Sequence, residues 1–199
     1  MTTAERRTNR ISPDEILDLG DYERRRDEIR ASAMRARRER RIALGPSATL
    51  TFENRETVRY QIQEMLRAER IAKPHEVLYE IDTYSDLLPT ASELSATLMF
   101  ELSEESERAV HLAALRDFEE HLFVAIDNAG DAAARFDRRQ IGEDRLSSVQ
   151  FVRFPLAPAQ LTAFRAGARL RVVSDHPAYA HTAEIDAATA RAIANDLED

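Results

Sequence analysis

The sequence predicts an α+β fold in which a helical N-terminal part packs on a largely antiparallel sheet, with short helices interposed between the strands. Helical patterns fill the first part of the chain, and strand patterns dominate the remainder. Turn sequences of hairpin length connect several of the strands, as is typical of antiparallel sheets. With 199 residues, of which 43% are hydrophobic, the chain is long enough to bury a substantial core.

The first helix is marked by its capping residues. Ser12, Pro13 and Glu15 form the start of a helix with a capping box. Gly20 is expected to end this helix, and Asp21 is expected to cap the next one.

The second predicted helix, residues 22–41, is rich in arginine and has only a narrow apolar stripe. Because so thin a stripe buries little surface, we expect this helix to be held by a second subunit, as in a homodimer, or by an acidic surface of its own chain. Acidic residues are interleaved with its arginines, and the whole chain carries a net charge of -8. This acidic balance disfavours nucleic acid as a partner.

The middle of the chain predicts one strand followed by two helices. Residues 48–52 have strand composition, and Asn54 is a suitable N-cap for a helix that runs to about residue 71. Pro74 opens a further helix that reaches residue 88. The core face of the 55–71 helix is predicted to consist of Val58, Ile62 and Met65.

Strand patterns then take over. Alternation of apolar and polar residues predicts a strand over residues 94–102. Further strands are predicted near residues 122–126, 133–136, 149–154, 170–173 and 179–185. Interposed helices are predicted at residues 103–121, at 158–166 and after Asp186, and a loop is predicted at 137–147. We expect the strands at 94–102, 122–126, 149–154 and 170–173 to share one sheet, on which the 55–71 helix packs.

These elements suggest three parts of the chain. Residues 1–11 are interpreted as a disordered tail, residues 12–44 as a helical N-terminal arm, and residues 45–199 as a single α+β domain.

Composition excludes several classes of protein. Without cysteine, the chain can form no disulfide, thiolate metal site or cysteine nucleophile. No apolar run approaches the ~20 residues that span a bilayer, and the polar N-terminus lacks the apolar core of a signal peptide. We therefore expect a cytoplasmic protein that has no membrane partner. No nucleotide-binding or zinc-protease motif is present, so no metal site is predicted, and neither a cofactor nor an enzymatic activity is assigned.

The first candidate site lies on the 55–71 helix. Thr57, Gln61 and Glu64 fall on one side of the helical wheel beside the apolar stripe, and Asn54 precedes them at the N-cap. Polar side chains at the border of a core can line a ligand cavity. The alternative is an ordinary amphipathic helix with caps and ion pairs.

The second candidate site is the segment around Asp175, His176 and Tyr179. Asp175 could orient an imidazole, as carboxylates do in acid–base sites. The alternative is a turn that uses these side chains for local hydrogen bonds. We expect Asp175 and His176 to reach the same polar cavity as Gln61.

Several segments resemble one family. The run FENRETVRYQIQEMLRAERI, with ALGP before it and ELSATLMFEL after it, is similar to a bacterial domain-of-unknown-function family, the one numbered 3501. The resemblance continues through SSVQFVRF and DHPAY and covers nearly the whole chain from about Ser12. Members of this family tend to be encoded beside rubrerythrin-like and iron–sulfur oxidoreductase proteins, so the resemblance implies a redox partner in a stress response. It supplies no catalytic residues.

Three functions follow as hypotheses. The first is an accessory or binding protein that acts with a redox partner. The second is a small metal- or His-dependent hydrolase or transferase built on Asp175 and His176. The third, nucleic-acid binding through the arginine-rich helix, ranks last because of the acidic body.

Overall fold

Secondary structure was obtained from a computed structural model, which describes residues 10–101, 105–137 and 146–197. A 3₁₀ turn at Pro13–Glu15 opens this part of the chain, and a second lies at Phe118–Glu120. The helices are α1 (Leu19–Arg38), α2 (Arg55–Ala68), α3 (Pro74–Ser85), α4 (Glu105–Ala114), α5 (Pro158–Arg165) and α6 (Ala187–Asp196). The strands are β1 (Arg41–Leu44), β2 (Ala48–Phe52), β3 (Glu93–Phe100), β4 (Leu122–Ile126), β5 (Gly130–Ala133), β6 (Arg135–Phe136), β7 (Val149–Pro155), β8 (Leu170–His176) and β9 (Tyr179–Ile185).

The strands form two antiparallel sheets, which confirms the α+β class. The first sheet has the order β1-β2-β3-β7-β6, and the second has the order β5-β4-β8-β9. The predicted single sheet is therefore wrong, because β3 and β7 belong to the first sheet whereas β4 and β8 belong to the second. Alternation along a strand shows which side chains are buried, but it does not show which strands pair.

The two sheets share one apolar core. Leu50, Leu98 and Val152 of the first sheet belong to the same buried cluster as Val124 and Val172 of the second. Burial of both inner faces accounts for the alternation seen in the sequence.

The chain passes between the sheets at short corners. The predicted strand at 133–136 is divided at Ala134, so that β5 pairs with β4 and β6 pairs with β7. Elsewhere a side chain joins the edges of the two sheets: the Tyr179 hydroxyl of β9 donates to the Leu44 carbonyl at 2.7 Å and accepts from the Ser47 amide at 3.0 Å.

A second apolar cluster lies among the helices. Val58, Ile62 and Leu66 of α2 are buried with Ile81 and other side chains outside the sheets. The apolar face of α2 thus packs on helices, so the expectation that it packs on the sheet is wrong. Leu66 takes the buried place predicted for Met65, which is partly exposed.

The arginine-rich helix is held by its own chain. Tyr22, Ala33 and Ala36 of α1 are buried, and Arg26 forms a salt bridge with Glu64 of α2. This confirms the second of the two expectations for this helix. Gly20 does not end a helix as predicted. It lies in the first turn of α1, because Asp18 caps that helix by accepting the Asp21 amide, and glycine is tolerated there.

Some predictions lie beyond these elements. Strand β1 was not indicated by the sequence pattern, and the division at residue 44 between arm and domain stays a prediction. Residues 1–9 of the predicted tail (residues 1–11), the end of the predicted strand at residue 102 and most of the predicted loop at 137–147 lie outside the described residues. The last residue of that predicted tail, Ile11, is buried, and its amide donates to the Ser85 hydroxyl at 3.1 Å. Within the part of the chain that is described, no helix has the length and hydropathy needed to cross a membrane.

Gly45, in the turn between β1 and β2, provides a stability test. Its φ of 68° favours glycine, and an added Cβ would lie 2.5 Å from the His181 ring. We expect Gly45→Ala to lower the free energy of unfolding in urea by at least about 2 kcal/mol, because backbone strain and overpacking add.

Gly167 is the matched control. Its φ is 83°, but an added Cβ would meet nothing within 4 Å. Gly167→Ala should therefore lower stability by about 1 kcal/mol, from backbone strain alone. Equal losses for the two variants would contradict the role of the His181 contact.

Candidate functional site

Asn54 and Thr57 form the N-terminal cap of α2. The Asn54 side chain accepts the Thr57 amide at 2.9 Å, and the Thr57 hydroxyl accepts the Asn54 amide at 3.0 Å. The Thr57 hydroxyl also donates to the Glu53 carboxylate, and the Asn54 amide group lies 3.4 Å from Asp196. These contacts are sufficient to explain both polar residues as helix-capping groups.

Glu64 anchors α1 on α2. Its carboxylate accepts two hydrogen bonds from Arg26, each of 2.8 Å, and one of 2.7 Å from the Tyr22 hydroxyl. The bonds from Arg26, followed by the bond from Tyr22, lower the pKa of Glu64 to about 2 despite partial burial. Glu64 is therefore ionised and occupied in holding two helices together.

Gln61 lies next to Tyr84, a residue that lines a cavity. Its side-chain oxygen accepts from Arg37 at 3.1 Å, and its side chain lies beside that of Tyr84 on α3. Burial raises the pKa of Tyr84. Because Tyr84 lines a cavity, Gln61 links the arginine-rich helix to the wall of that cavity.

The second predicted group lies on β8 and β9. Asp175 does orient an imidazole, but the imidazole belongs to His121, whose Nδ1 lies 2.7 Å from the Asp175 carboxylate. The His176 ring accepts the Ala178 amide at 3.1 Å and donates through Nε2 to the Arg116 carbonyl at 2.8 Å. The predicted pairing of Asp175 with its neighbour His176 is thus replaced by a pairing across strands.

The two predicted groups have different partners. The α2 residues contact α1, α3 and the end of α6, whereas Asp175, His176 and Tyr179 contact the second sheet and the edge of the first. The cavity beside α3 and the cavity beside α5 and α6 are both lined by other residues, and neither contains a member of either group. No support for a shared cavity appears in the described residues, and a ligand-binding role for the seven predicted residues stays a prediction.

A cavity of 540 Å³ lies where the last turn of α3 faces the outer side of the first sheet. We call it the arginine-pair cavity. Its lining residues come from α3 and the residues after it, from β3, and from β6 and β7 with the residue that follows β6: Thr83, Tyr84, Asp86, Leu87, Ser95, Arg135, Phe136, Asp137, Phe151, Val152 and Arg153.

Two arginines stand side by side in this cavity. Arg135 of β6 and Arg153 of β7 are direct partners in the antiparallel ladder, and such partners project from the same face. Arg153 lies 3.6 Å from the Glu93 carboxylate, whereas Arg135 forms no salt bridge with any described residue. Like charges in directly opposed positions destabilise a sheet unless something compensates them.

Ser95 lies in the same row across the sheet as the two arginines. Ser95 of β3 is the ladder partner of Arg153, and only 3% of its surface is exposed. Ser95 lines the arginine-pair cavity, where a hydroxyl can donate to or accept from a bound molecule.

The two guanidinium groups are the part of the cavity that suits an oxyanion, which would bind beside the carboxylates of Asp86 and Asp137 in the same lining. Guanidinium groups bind carboxylates and phosphates through paired charge-assisted hydrogen bonds. Phe151 and Leu87 provide apolar surface for an organic body, and the cavity volume is within the range of small-molecule sites. In contrast, no group of three histidine or acidic side chains in the described residues is placed to hold a metal ion.

One known protein family matches nearly the whole chain. A family of proteins of unknown function, DUF3501, matches residues 10–197. The chain belongs to this family. The match confirms the resemblance noted in the sequence.

A solved structure is similar to this DUF3501 chain. The crystal structure of a novel protein of unknown function from Burkholderia pseudomallei K96243 is 34% identical, with a TM-score of 0.88. The similarity covers 94% of this chain and 98% of that one. No curated protein matches the chain.

The sequence analysis missed the residues of the arginine-pair cavity. The alternation in β3 and β7 does place Ser95 and Arg153 on the polar faces of their strands. The pairing of β6 with β7 across the intervening segment had no sequence signal. His121 was also missed, since its position beside Asp175 follows from the pairing of Leu122 with Ser174.

The Glu64 cluster predicts how stability depends on pH. The folded-state pKa of about 2 lies below the ordinary value of 4.5, so this stabilisation is present above pH 4.5 and is lost as the pH falls toward 2. We expect Glu64→Gln to lower the free energy of unfolding at pH 7 by about 2 kcal/mol and to flatten the decline between these pH values.

Glu23→Gln is the control for this experiment, because Glu23 pairs with Arg67 at 2.7 Å in a more exposed position. It should change stability by less than about 1 kcal/mol. Urea titrations over the pH series would measure both variants. An unchanged slope in Glu64→Gln would contradict the role of the Arg26 and Tyr22 bonds.

Proposed function

We propose that this protein is a binding protein that holds a small organic oxyanion in the arginine-pair cavity and acts as an accessory to a redox protein. The single observation that carries the ligand proposal is the Arg135–Arg153 pair. Two guanidinium groups in directly opposed positions repel each other by an amount on the order of 0.2–1 kcal/mol. A bound anion removes this repulsion and replaces it with hydrogen bonds.

The rest of the cavity supports an organic ligand. Tyr84 and the buried Ser95 provide hydroxyl groups on opposite walls, and Phe151 provides an aromatic surface. A carboxylate and a phosphate share the chemistry that the arginines recognise, so both belong among the probes.

The proposal of a redox partner rests on the resemblance to the family. We propose that DUF3501 proteins dock on such a partner in the cytoplasm. Co-purification of the protein with a rubrerythrin-like or iron–sulfur protein encoded beside it would test this part. A homodimer is no longer required to hold α1, because α2 of the same chain does so.

The ligand proposal is tested by titration with benzoate, citrate and inorganic phosphate at constant ionic strength. We expect at least one of these probes to bind in a saturable way and to raise the melting temperature, because a ligand stabilises the state that it binds. Arg135→Gln and Arg153→Gln should each weaken that binding about tenfold or more, the loss of roughly one charge-assisted hydrogen bond.

Arg30→Gln is the control, because Arg30 is exposed on α1, away from the cavity. Without ligand, Arg135→Gln should be as stable as the unmodified protein or more so, since it relieves the repulsion. Equal binding by all three variants would refute the site.

A second candidate function rests on the contact between His121 and Asp175. Their side chains are 2.7 Å apart, and the His121 Nε2 has no hydrogen-bond partner among the described residues. A carboxylate bonded to Nδ1 leaves Nε2 free to accept a proton, which is the arrangement of a general base. The supported activity is hydrolysis by an activated water molecule, the hydrolase alternative with His121 in place of His176.

Hydrolysis of p-nitrophenyl acetate would test this activity. General-base catalysis contributes about 10²–10⁴-fold, so His121→Gln should abolish most of the rate above background. Asp175→Asn should reduce the rate, and His75→Gln, on the exposed start of α3, should leave it unchanged. If all these proteins hydrolyse the ester at the same rate, the base is not His121.

A further inference from the structure

A second cavity lies on the far side of the second sheet. Its volume is 700 Å³, and it is bounded by the end of α5, the start of β8, the end of β9 and the first turns of α6. We call it the α5–α6 cleft. It shares no lining residue with the arginine-pair cavity.

Four arginines surround this cleft, and one of them, Arg191, interacts electrostatically with the Asp186 carboxylate. Arg165, Arg169 and Arg191 are exposed, and none of their side chains forms a hydrogen bond or salt bridge within the described residues. Arg171, which also lines the cleft, differs because it binds Asp127 at 2.8 Å. Three guanidinium groups are thus left available at the rim.

The acidic residues of the cleft are largely engaged. The Asp186 carboxylate caps α6 by accepting the Ala188 amide at 2.8 Å and the Thr189 amide at 2.9 Å. Glu184 is the ladder partner of Arg171, and Asp127 holds the same arginine. The four arginines and three carboxylates that line the cleft leave an excess of one positive charge, on a chain whose net charge is -8.

The interior of the cleft is apolar. Phe164, Leu170 and Ile185 line it and are less than one tenth exposed. Ala187, Ala190 and Ala194 follow one another at helical spacing along the wall formed by α6. These small side chains leave room for an organic group beside the charged rim.

We infer that the α5–α6 cleft binds a phosphate ester whose organic part is apolar or aromatic. Three arginines from separate elements match the three terminal oxygens of a phosphate dianion, whereas a single carboxylate uses one or two guanidinium groups. The local positive charge also offsets the repulsion of an anion by the acidic body. This site is independent of the proposed function, because it rests on other residues and another part of the fold.

Phenyl phosphate is the probe that tests both features of the cleft, with inorganic phosphate and phenol as its two halves. We expect phenyl phosphate to bind in a saturable way and more tightly than either half in calorimetric titrations at constant ionic strength. In spectra of ¹⁵N-labelled protein, the shifted amides should be those lining the cleft, such as Gly167, Leu170 and Ala187.

Arg165→Gln and Arg191→Gln should each weaken phenyl phosphate binding about tenfold, the usual size of one lost charge-assisted bond. Both side chains are exposed, so the melting temperature should stay near that of the unmodified protein. Arg30→Gln, exposed on α1 and outside the lining of both cavities, is the matched control and should leave phenyl phosphate binding unchanged.

Three outcomes would overturn the inference. One is the absence of shifts among the amides that line the cleft. Another is that Arg165→Gln and Arg191→Gln both bind phenyl phosphate as tightly as the unmodified protein. The third is equal affinity for inorganic phosphate and phenyl phosphate, which would show that the apolar interior contributes nothing.

Discussion

Burial of two sheets against one apolar core is the constraint on which the rest of this structure depends. Because successive side chains of a strand point to opposite faces, the inward position of Leu94 and Leu98 places Ser95 and Thr97 on the outer face. The hydroxyl of Thr97 on this outer face has a hydrogen-bond partner, because it donates to the Glu53 carboxylate at 2.6 Å. Ser95 lines the arginine-pair cavity. The candidate site is thus a consequence of the polar face that the core forces outward.

Polar contacts add to the apolar cluster that holds the N-terminal helices to the rest of the chain. Glu64 joins α1 to α2, and Gln63 holds the segment before α1 by accepting the Leu17 amide at 2.6 Å. At the other end of α1, the buried Arg40 contacts Asp196 at 2.6 Å and 3.0 Å. These charge-assisted bonds compensate for the thin apolar stripe of α1, since a helix with little buried apolar surface gains little from the hydrophobic effect.

Local signals in the sequence were sufficient for most elements and for the fold class. The capping groups of α2 and α6, Asn54 and Asp186, are where the pattern predicted them. The arrangement of the elements was less accessible, because strand pairing depends on contacts between distant segments. This is why one sheet was predicted instead of two, and why the strand near residue 134 was not recognised as a corner.

The same limit applies to the candidate sites. Polar residues beside an apolar stripe were identified correctly as a group, but Asn54, Thr57 and Glu64 are used for capping and for helix packing. Gln61 alone of that group contacts a cavity wall, through Tyr84. The residues that matter most for the proposed ligand, Arg135 and Arg153, lie in segments whose pairing the sequence does not reveal.

For the arginines of this chain, the partner of each side chain says more about function than the number of arginines in a segment. Of the 28 basic residues 27 are arginine, and the sequence concentrates them near the N-terminus, which suggested a contact surface there. In the structure, however, Arg26 and Arg37 of α1 bind Glu64 and Gln61 of the same chain. The arginines that form no salt bridge with the described residues and share a cavity lie in the acidic body instead. A guanidinium group that is already satisfied stabilises the fold, whereas one that faces a cavity unpaired is available for a ligand. Function in this family is therefore better sought at the two cavities of the sheet domain than along its most basic helix.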